Sequence, residues 1–341
     1  MIHDHNVTPI AHTEPMLSVI IVNWNGIGFL PRCLDSLRVQ TLHNVQIMLV
    51  DNGSTDESVM LTREQYPEVD IFELGDNFGY AEANNRAAAL SHARYLLFLN
   101  NDTYVDTEAL VKLVGAAESQ PTTPIWAPQQ RTYDGTRLIH IGMGTDILGF
   151  PCEGKVFYAD GAALFMRRDI FQDLGGFDPH YFMFFEEADL CWRARLLGYH
   201  VGIVPSAIIY HRSGGTAGSS LVGKVSHSVS TNKRRLSHRN QLITLLKNYS
   251  LPALCVILPL FAVLTAGEVT LLAVTGQRQA IRGSYLAAWR DLWHTRSYIR
   301  RARSHSQNTR RVADWAILRQ MEWKIAPVSY VLRVGLPKIK E

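Results

Sequence analysis

Between Leu17 and Asn100, four apolar strand-like runs alternate with three helix-like patterns, and this alternation constrains the fold more than any other feature. "LSVIIVNW" (17–24) is a continuous, β-branched apolar run, as expected of a strand covered on both faces. In the following "FLPRCLDSLRVQ", Leu30, Leu34 and Leu37 share one helical face, and Pro31 is tolerable only in a first turn. "VQIMLVD", "VDIFEL" and "YLLFLN" read as three further strands, separated by the helical patterns "DESVMLTREQY" and "YAEANNRAAALSHA". Such an order predicts an α/β fold with a mostly parallel sheet and right-handed crossovers.

Sheets of this kind bind ligands beyond the carboxyl ends of their strands. Here those ends read "NWNG", "DNGSTD", "GDNFGY" and "NNDT", which brings Asn23, Asp51, Asn77, Asn101 and Asp102 toward one edge. A single carboxylate there could merely cap the next helix. Polar side chains at four successive strand ends mark a binding site instead. A dinucleotide fold is excluded by spacing: after Gly26 and Gly28, Pro31 stands where the third glycine of GxGxxG belongs. No GxxxxGK[ST] loop is present either. A diphosphate at this edge therefore needs another counter-charge, and a divalent cation on Asp102 would supply it.

With 341 residues, 47% hydrophobic and 19% charged, the chain has ample core. Its net charge of +3 hides a split: residues 1–220 carry 14 Lys and Arg against 26 Asp and Glu, whereas 221–341 carry 20 against 5. The two regions face different partners. Cys33, Cys152, Cys191 and Cys255 form no CxxC pair, so reduced cytosolic thiols are expected rather than a zinc knuckle or dithiol site. Residues 1–16 are polar and read as a loose tail, not a secretory signal.

"SVIIVNWNG", "VDNGSTD", "NFGYAEANN", "LFLNNDT", "GAALFMRRDIFQDLGGFD", "FFEEADLCWRARLLGY" and "AIIYHRSGGT" follow one another across residues 17–216. Together they resemble a family 2 glycosyltransferase of the GT-A fold, in its rhamnosyltransferase-like branch. The resemblance implies an inverting nucleotide-diphospho-sugar transferase with a Rossmann-like sheet and Mn²⁺ or Mg²⁺ as cofactor. Asp51 matches the aspartate that binds the nucleobase, which points to a dTDP- or UDP-linked donor, with rhamnose the leading sugar. Asn23, Asn77 and Asn101 join it as expected nucleotide contacts. Asp102 matches the last aspartate of the metal-binding motif, whose first acid is here the amide Asn100, and His211 matches a further metal ligand. Asp160 lies where the family contacts the acceptor or donor sugar.

Glu186 and Glu187 follow "YFMFF", a run able to bury, where the pKa of a carboxylate rises and suits a base that takes the acceptor hydroxyl proton. The resemblance puts Glu187 at the position of the catalytic aspartate, one methylene longer, with Glu186 as the other candidate. Asp189 is expected on the substrate or as a helix cap, and Glu186 could pair with Arg193.

Residues 120–160, with the hairpin-like "YDGTRL", read as an insertion over the site, and 217–232 as a lid or linker. A basic, partly apolar helical region follows over 233–341. Asn248 to Gly267 carry no charge and approach the length of a membrane span. Pro252 and Pro259 favour an interfacial or re-entrant helical pair, for which Trp289 and Trp293 supply headgroup contacts. The expected place is the cytoplasmic face of the cell membrane, peripheral or monotopic, with a glycan or lipid-linked acceptor; a helical subdomain packed on the core is the alternative. No nucleic-acid recognition fold accompanies the charge. A catalytically silent sugar-nucleotide or membrane-binding protein is the second functional expectation, because the motif reads Asn-Asn-Asp and the base is Glu.

Overall fold

The computed structural model describes residues 14–212, 228–328 and 338–340, so most of the expected tail (1–16) and lid (217–232) lies outside the described residues. Strands β1 (Leu17–Asn23), β2 (Val45–Asp51), β3 (Asp70–Glu73) and β4 (Tyr95–Asn100) form the parallel part of one sheet, in the order β3-β2-β1-β4. Helices α1 (Leu30–Arg38), α2 (Ser58–Gln65) and α3 (Gly79–Leu90) connect them. The apolar run of β1 serves two cores because its side chains alternate: Leu17, Val19 and Ile21 pack with Leu30, Cys33 and Leu34 of α1, and Ile20 packs with Ala81 and Ala87 of α3.

Beyond β4 the sheet is mixed, which corrects the expectation of mostly parallel strands. Added here are β5 (Thr103–Val105), β6 (Ile125–Thr132), β7 (Leu138–Ile141), β8 (Ala163–Arg167) and β9 (Val201–His211), with helices α4 (Ala109–Ser119), α5 (Arg168–Asp173) and α6 (Glu186–Leu196). The sheet runs β3-β2-β1-β4-β8-β6-β9-β5, with β7 hairpinned onto β6. β8 is antiparallel to both neighbours. The cause is chain direction: β6 reaches the edge where the polar strand ends gather, the chain stays there through the β6–β7 hairpin to Asp160, and β8 must then run back. Residues 120–160 are thus not simply an insertion, since β6 is a central strand with Ile125, Trp126 and Ala127 buried.

The C-terminal part begins with α7 (Thr231–Asn248), whose Leu245 belongs to the same core as Trp192 of α6. α8 (Leu251–Val274) follows as one continuous helix, which replaces the expected re-entrant pair. Pro252 sits in its first turn, where no backbone donor is lost to the helix, and Pro259 lies inside it. Among the described residues, α8 is the one helix long and apolar enough to cross a membrane. Leu254, Ile257, Phe261 and Thr265 face the protein, and Leu251, Val256, Leu260 and Val263 face outward. Helices α9 (Ala287–His294) and α10 (Arg296–Thr309) follow among shorter helical segments, and Trp289 and Trp293 of α9 are exposed.

Candidate active site

The four strand-end loops are tied to one another by amides. Asn23, buried at the end of β1, reaches Asp51 Oδ1 (3.3 Å), Ser54 Oγ (3.1 Å) and Ser58 Oγ (2.8 Å) with its Nδ2, and its Oδ1 accepts from Asn101 Nδ2 (2.9 Å). Gly26 leaves room for this pair: a Cβ there would stand 2.2 Å from both amides and force them to shift. Asn77 Oδ1 accepts from Asn52 Nδ2 (3.1 Å) and from the Gly79 N–H (3.0 Å). The three asparagines expected on the nucleotide therefore brace the loops that carry Asp51 and Asp102. Asp51 is buried, and its Oδ2 accepts from the Ser54 N–H (3.0 Å), the turn-capping contact that its position also allows.

Asp102 and His211 meet at the ends of β4 and β9, with Oδ1 3.3 Å from Nε2. Burial would depress the His211 pKa, but the hydrogen bond and charge of Asp102, aided by Asp160, raise it above the usual value. Asp160 Oδ1 accepts from Gln130 Nε2 (3.0 Å) and the Ala162 N–H (2.9 Å), and its Oδ2 lies 3.7 Å from His140 Nε2. Burial opposes its ionisation, yet His140, His211 and these donors hold it below the usual carboxylate range. Asp102 and His211 offer an oxygen and a nitrogen donor. No cluster of three or more His, Cys, Asp or Glu placed to hold a metal occurs among the described residues.

Glu186 and Glu187 open α6, directly after a backbone in an uncommon conformation. Phe182, Phe184 and Phe185 have φ of 63°, 71° and 75°, the left-handed region that bulky residues avoid. Two elements hold them there. Phe182 O approaches the start of α3 so closely that a Cβ on Gly79 would lie 2.4 Å from it. From α7, the fully buried Asn240 donates to the carbonyls of Tyr181 (2.9 Å), Met183 (2.9 Å) and Phe184 (2.7 Å). Burial, with the charge of Asp160, pushes Glu186 up to about 8. Burial together with Glu186 and Asp160 pushes Glu187 well above its ordinary value. Tyr80, whose hydroxyl donates to Gly161 O (2.6 Å), is also raised, by burial first and then by the same carboxylates.

Seven buried side-chain polar atoms have no partner among the described residues, and four of them belong here: Glu186 Oε2, Glu187 Oε2, Gln130 Oε1 and His140 Nδ1. Buried polar groups are normally paired, so such a concentration marks where a polar ligand belongs. Asp189 is not among them. It is fully buried, 2.8 Å from Arg193 Nε and 3.0 Å from Lys247 Nζ, and accepts from Asn248 Nδ2 (3.0 Å). The substrate contact expected of Asp189 is thereby replaced by a bond between α6 and α7, and Arg193 pairs with Asp189 rather than Glu186. His140, Gln130 and Tyr80 were not singled out in the sequence. Only Tyr80 left a signal there, inside "NFGYAEANN".

A model of glycosyl transferase family 2 matches residues 18–187. The chain belongs to glycosyl transferase family 2. It is 29% identical, over 60% of its length and 78% of the relative's, to N-acetylglucosaminyl-diphospho-decaprenol L-rhamnosyltransferase of Mycobacterium tuberculosis. Among solved structures, GalNAc-T7 with UDP, GalNAc and Mn²⁺ superposes with a TM-score of 0.55 at 17% identity, over 69% of this chain and 48% of that one. Residues 1–349 of S. aureus TarS in complex with UDP give 0.51 at 16%, over 68% and 66%. These two likenesses establish a shared GT-A-like fold, and this family 2 chain is a glycosyltransferase.

Proposed function

We propose that this glycosyltransferase is an inverting, metal-dependent enzyme that moves a deoxyhexose, rhamnose, from a dTDP- or UDP-linked donor to a lipid-linked glycosyl diphosphate. The observation that carries the reading is the group of orphaned polar atoms on Glu186, Glu187, Gln130 and His140 around Asp160, adjoining the Asp102–His211 pair. Asp51 reads the pyrimidine, and Asp102 with His211 would hold Mn²⁺ or Mg²⁺, which would supply positive charge against the diphosphate. Asp160, Gln130 and His140 orient the transferred sugar through its hydroxyls. Glu187 takes the acceptor proton as the oxygen forms its bond to the anomeric carbon and the bond to the diphosphate breaks.

Burial disfavours the ionised form of both Glu186 and Glu187. The base form is therefore reached by titrating upward. The acceptor class is supported by the relative named for a diphospho-decaprenol substrate. A peripheral place on the cytoplasmic membrane face is supported by the outward Leu251, Val256, Leu260 and Val263 of α8 beside exposed Trp289 and Trp293. Because the other face of α8 packs on the protein, an interfacial arrangement fits better than a span. The test is transfer from a panel of nucleotide sugars to a short-chain alkyl-diphospho-N-acetylglucosamine with added Mn²⁺. Glu187→Gln should lower transfer by roughly 100-fold or more with donor binding intact, and Asp102→Ala should abolish metal-dependent donor binding. Full transfer by Glu187→Gln, or no transfer from any donor by the parent protein, refutes the reading.

A further inference from the structure

On the other side of the β5–β9 edge lies a cavity of about 510 Å³ that the proposed reaction leaves unused. Tyr104 pairs with Tyr210, and Thr103 with His211, across these two strands. Side chains alternate along a strand, so the stacked Tyr104 and Tyr210 rings (4.3 Å between centroids) point away from the face that carries His211. Arg212, one residue further on, returns to the tyrosine face and packs over Phe29 at 4.6 Å. Arg32 of α1 lines the cavity, its guanidinium lying over both Tyr104 (3.8 Å) and Tyr133 (4.3 Å), two rings at 86° to each other.

Neither Arg32 nor Arg212 has a carboxylate within ion-pair distance among the described residues. A guanidinium held against two mutually perpendicular rings presents its edge N–H groups in a fixed fork, the geometry that takes two oxygens of one anion. The cavity also has a carboxylate, Asp134, which accepts from the hydroxyl and N–H of Thr136 (2.9 and 3.1 Å) and from the Thr132 hydroxyl at short range. Asp134 would repel a bare anion at close quarters but accepts from the hydroxyls of a sugar. Two guanidiniums, aromatic faces and one carboxylate together fit a phosphate that carries a sugar, in a volume suited to such a ligand.

We propose that this cavity is a second phosphate-binding subsite, taking a glycosyl phosphate through Arg32 and Arg212 independently of the Asp102–His211 pair. The phosphate has two sources, the diphosphate of the acceptor or that of a nucleotide, and this choice of sources rests on the proposed function. The first probe is inorganic pyrophosphate in EDTA, titrated calorimetrically into the full chain. The parent protein should bind it without metal, Arg32→Ala and Arg212→Ala should weaken that binding by about tenfold or more, and Arg32→Lys should recover it in part. Asp102→Ala should keep it. Since Arg32 is exposed, its replacement should leave the melting temperature unchanged.

Kinetics then identify the source. A raised KM for alkyl-diphospho-N-acetylglucosamine in Arg32→Ala, at unchanged KM for the nucleotide sugar, assigns the acceptor; the reverse assigns the nucleotide. Metal-free binding that is absent from the parent, or equal in parent and Arg32→Ala, overturns the proposal. So do unchanged KM values for both substrates, which would leave an adventitious ion only. Absence of transfer from every donor would refute the proposed function while leaving the pyrophosphate result standing, so the two failures are distinguishable.

Discussion

Replacing Asn240 by leucine removes the clasp on the loop that carries Glu186 and Glu187. One amide group bonds three buried carbonyls, those of Tyr181, Met183 and Phe184, at 2.7–2.9 Å. Its two hydrogens cannot fully serve three acceptors, so the loss amounts to about two unsatisfied carbonyls, or about 2–6 kcal/mol at roughly 1–3 kcal/mol each before relaxation. Against this stand three left-handed aromatic residues, Phe182, Phe184 and Phe185. Strain of about 1–3 kcal/mol apiece makes their sum at least as large as the clasp. The loop should therefore relax once Asn240 is gone, moving the carboxylates and wetting them. Displacement of reacting groups by an ångström can cost about 100-fold. The variant should accordingly lose roughly 100-fold in kcat while its donor affinity stays, because Asp51 and Asp102 stand on β2 and next to β4. The acid limb of its pH–rate profile should also shift downward, since burial is the chief cause of the raised Glu186 and Glu187 pKa values. Steady-state kinetics across pH, with calorimetric donor binding, check both. A folded variant with unchanged kcat and an unmoved profile would refute the clasp.

In the parent protein, kcat/KM should rise with pH as the base Glu187, raised by burial and by its charged neighbours, loses its proton, and Glu186 beside it is raised to about 8. The same shift makes the folded state hold a proton that the unfolded chain has released. Its stabilising contribution is complete below about 4.5 and is lost as pH climbs through about 8, so the melting temperature should fall across that window less steeply in Glu186→Gln. Asp51→Asn should weaken UDP or dTDP binding by about 1.5–3 kcal/mol, the value of a hydrogen bond to a charged group; equal affinities by calorimetry count against it. The full chain should float with anionic liposomes and keep part of that binding in high salt, because α8 adds apolar contact to charge; indifference to liposomes at low salt would leave α8 as a packing element only. A chain cut before Thr231 should fail to give a cooperative melting transition, and a sharp one would show that α7 is dispensable.

Sequence periodicity was enough to locate β1 to β4 and the polar edge, because continuous apolar runs and strand-end Asn and Asp report local geometry directly. The direction of β8 was not legible: "ALFMR" looks alike whichever way it runs, and its pairing is decided by where the preceding hairpin leaves the chain. Asp102, His211, Glu186 and Glu187 stood out by motif, whereas Gln130 and His140 joined them only through the placement of β6 and β7 in the sheet. The part least visible was the dependence of the site on α7. Asn240 acts on backbone carbonyls, which carry no residue identity, across 56–59 positions of chain. Lys247 is a buried cation between Asp178 and Asp189, and in the sequence it is one more charge in a basic stretch. Losing Lys247 takes one partner from each of two buried carboxylates, at about 3–5 kcal/mol for a buried pair that loses one partner. That is a large share of the roughly 5–15 kcal/mol that holds a domain together. The boundary near residue 216, drawn where the motifs stop, therefore marks the end of the residues proposed to do chemistry and not the end of the body that positions them. The helix that holds the Glu186–Glu187 loop leads directly into the helix with the outward apolar face, so the proposed catalytic loop and the proposed membrane contact share one continuous stretch of chain.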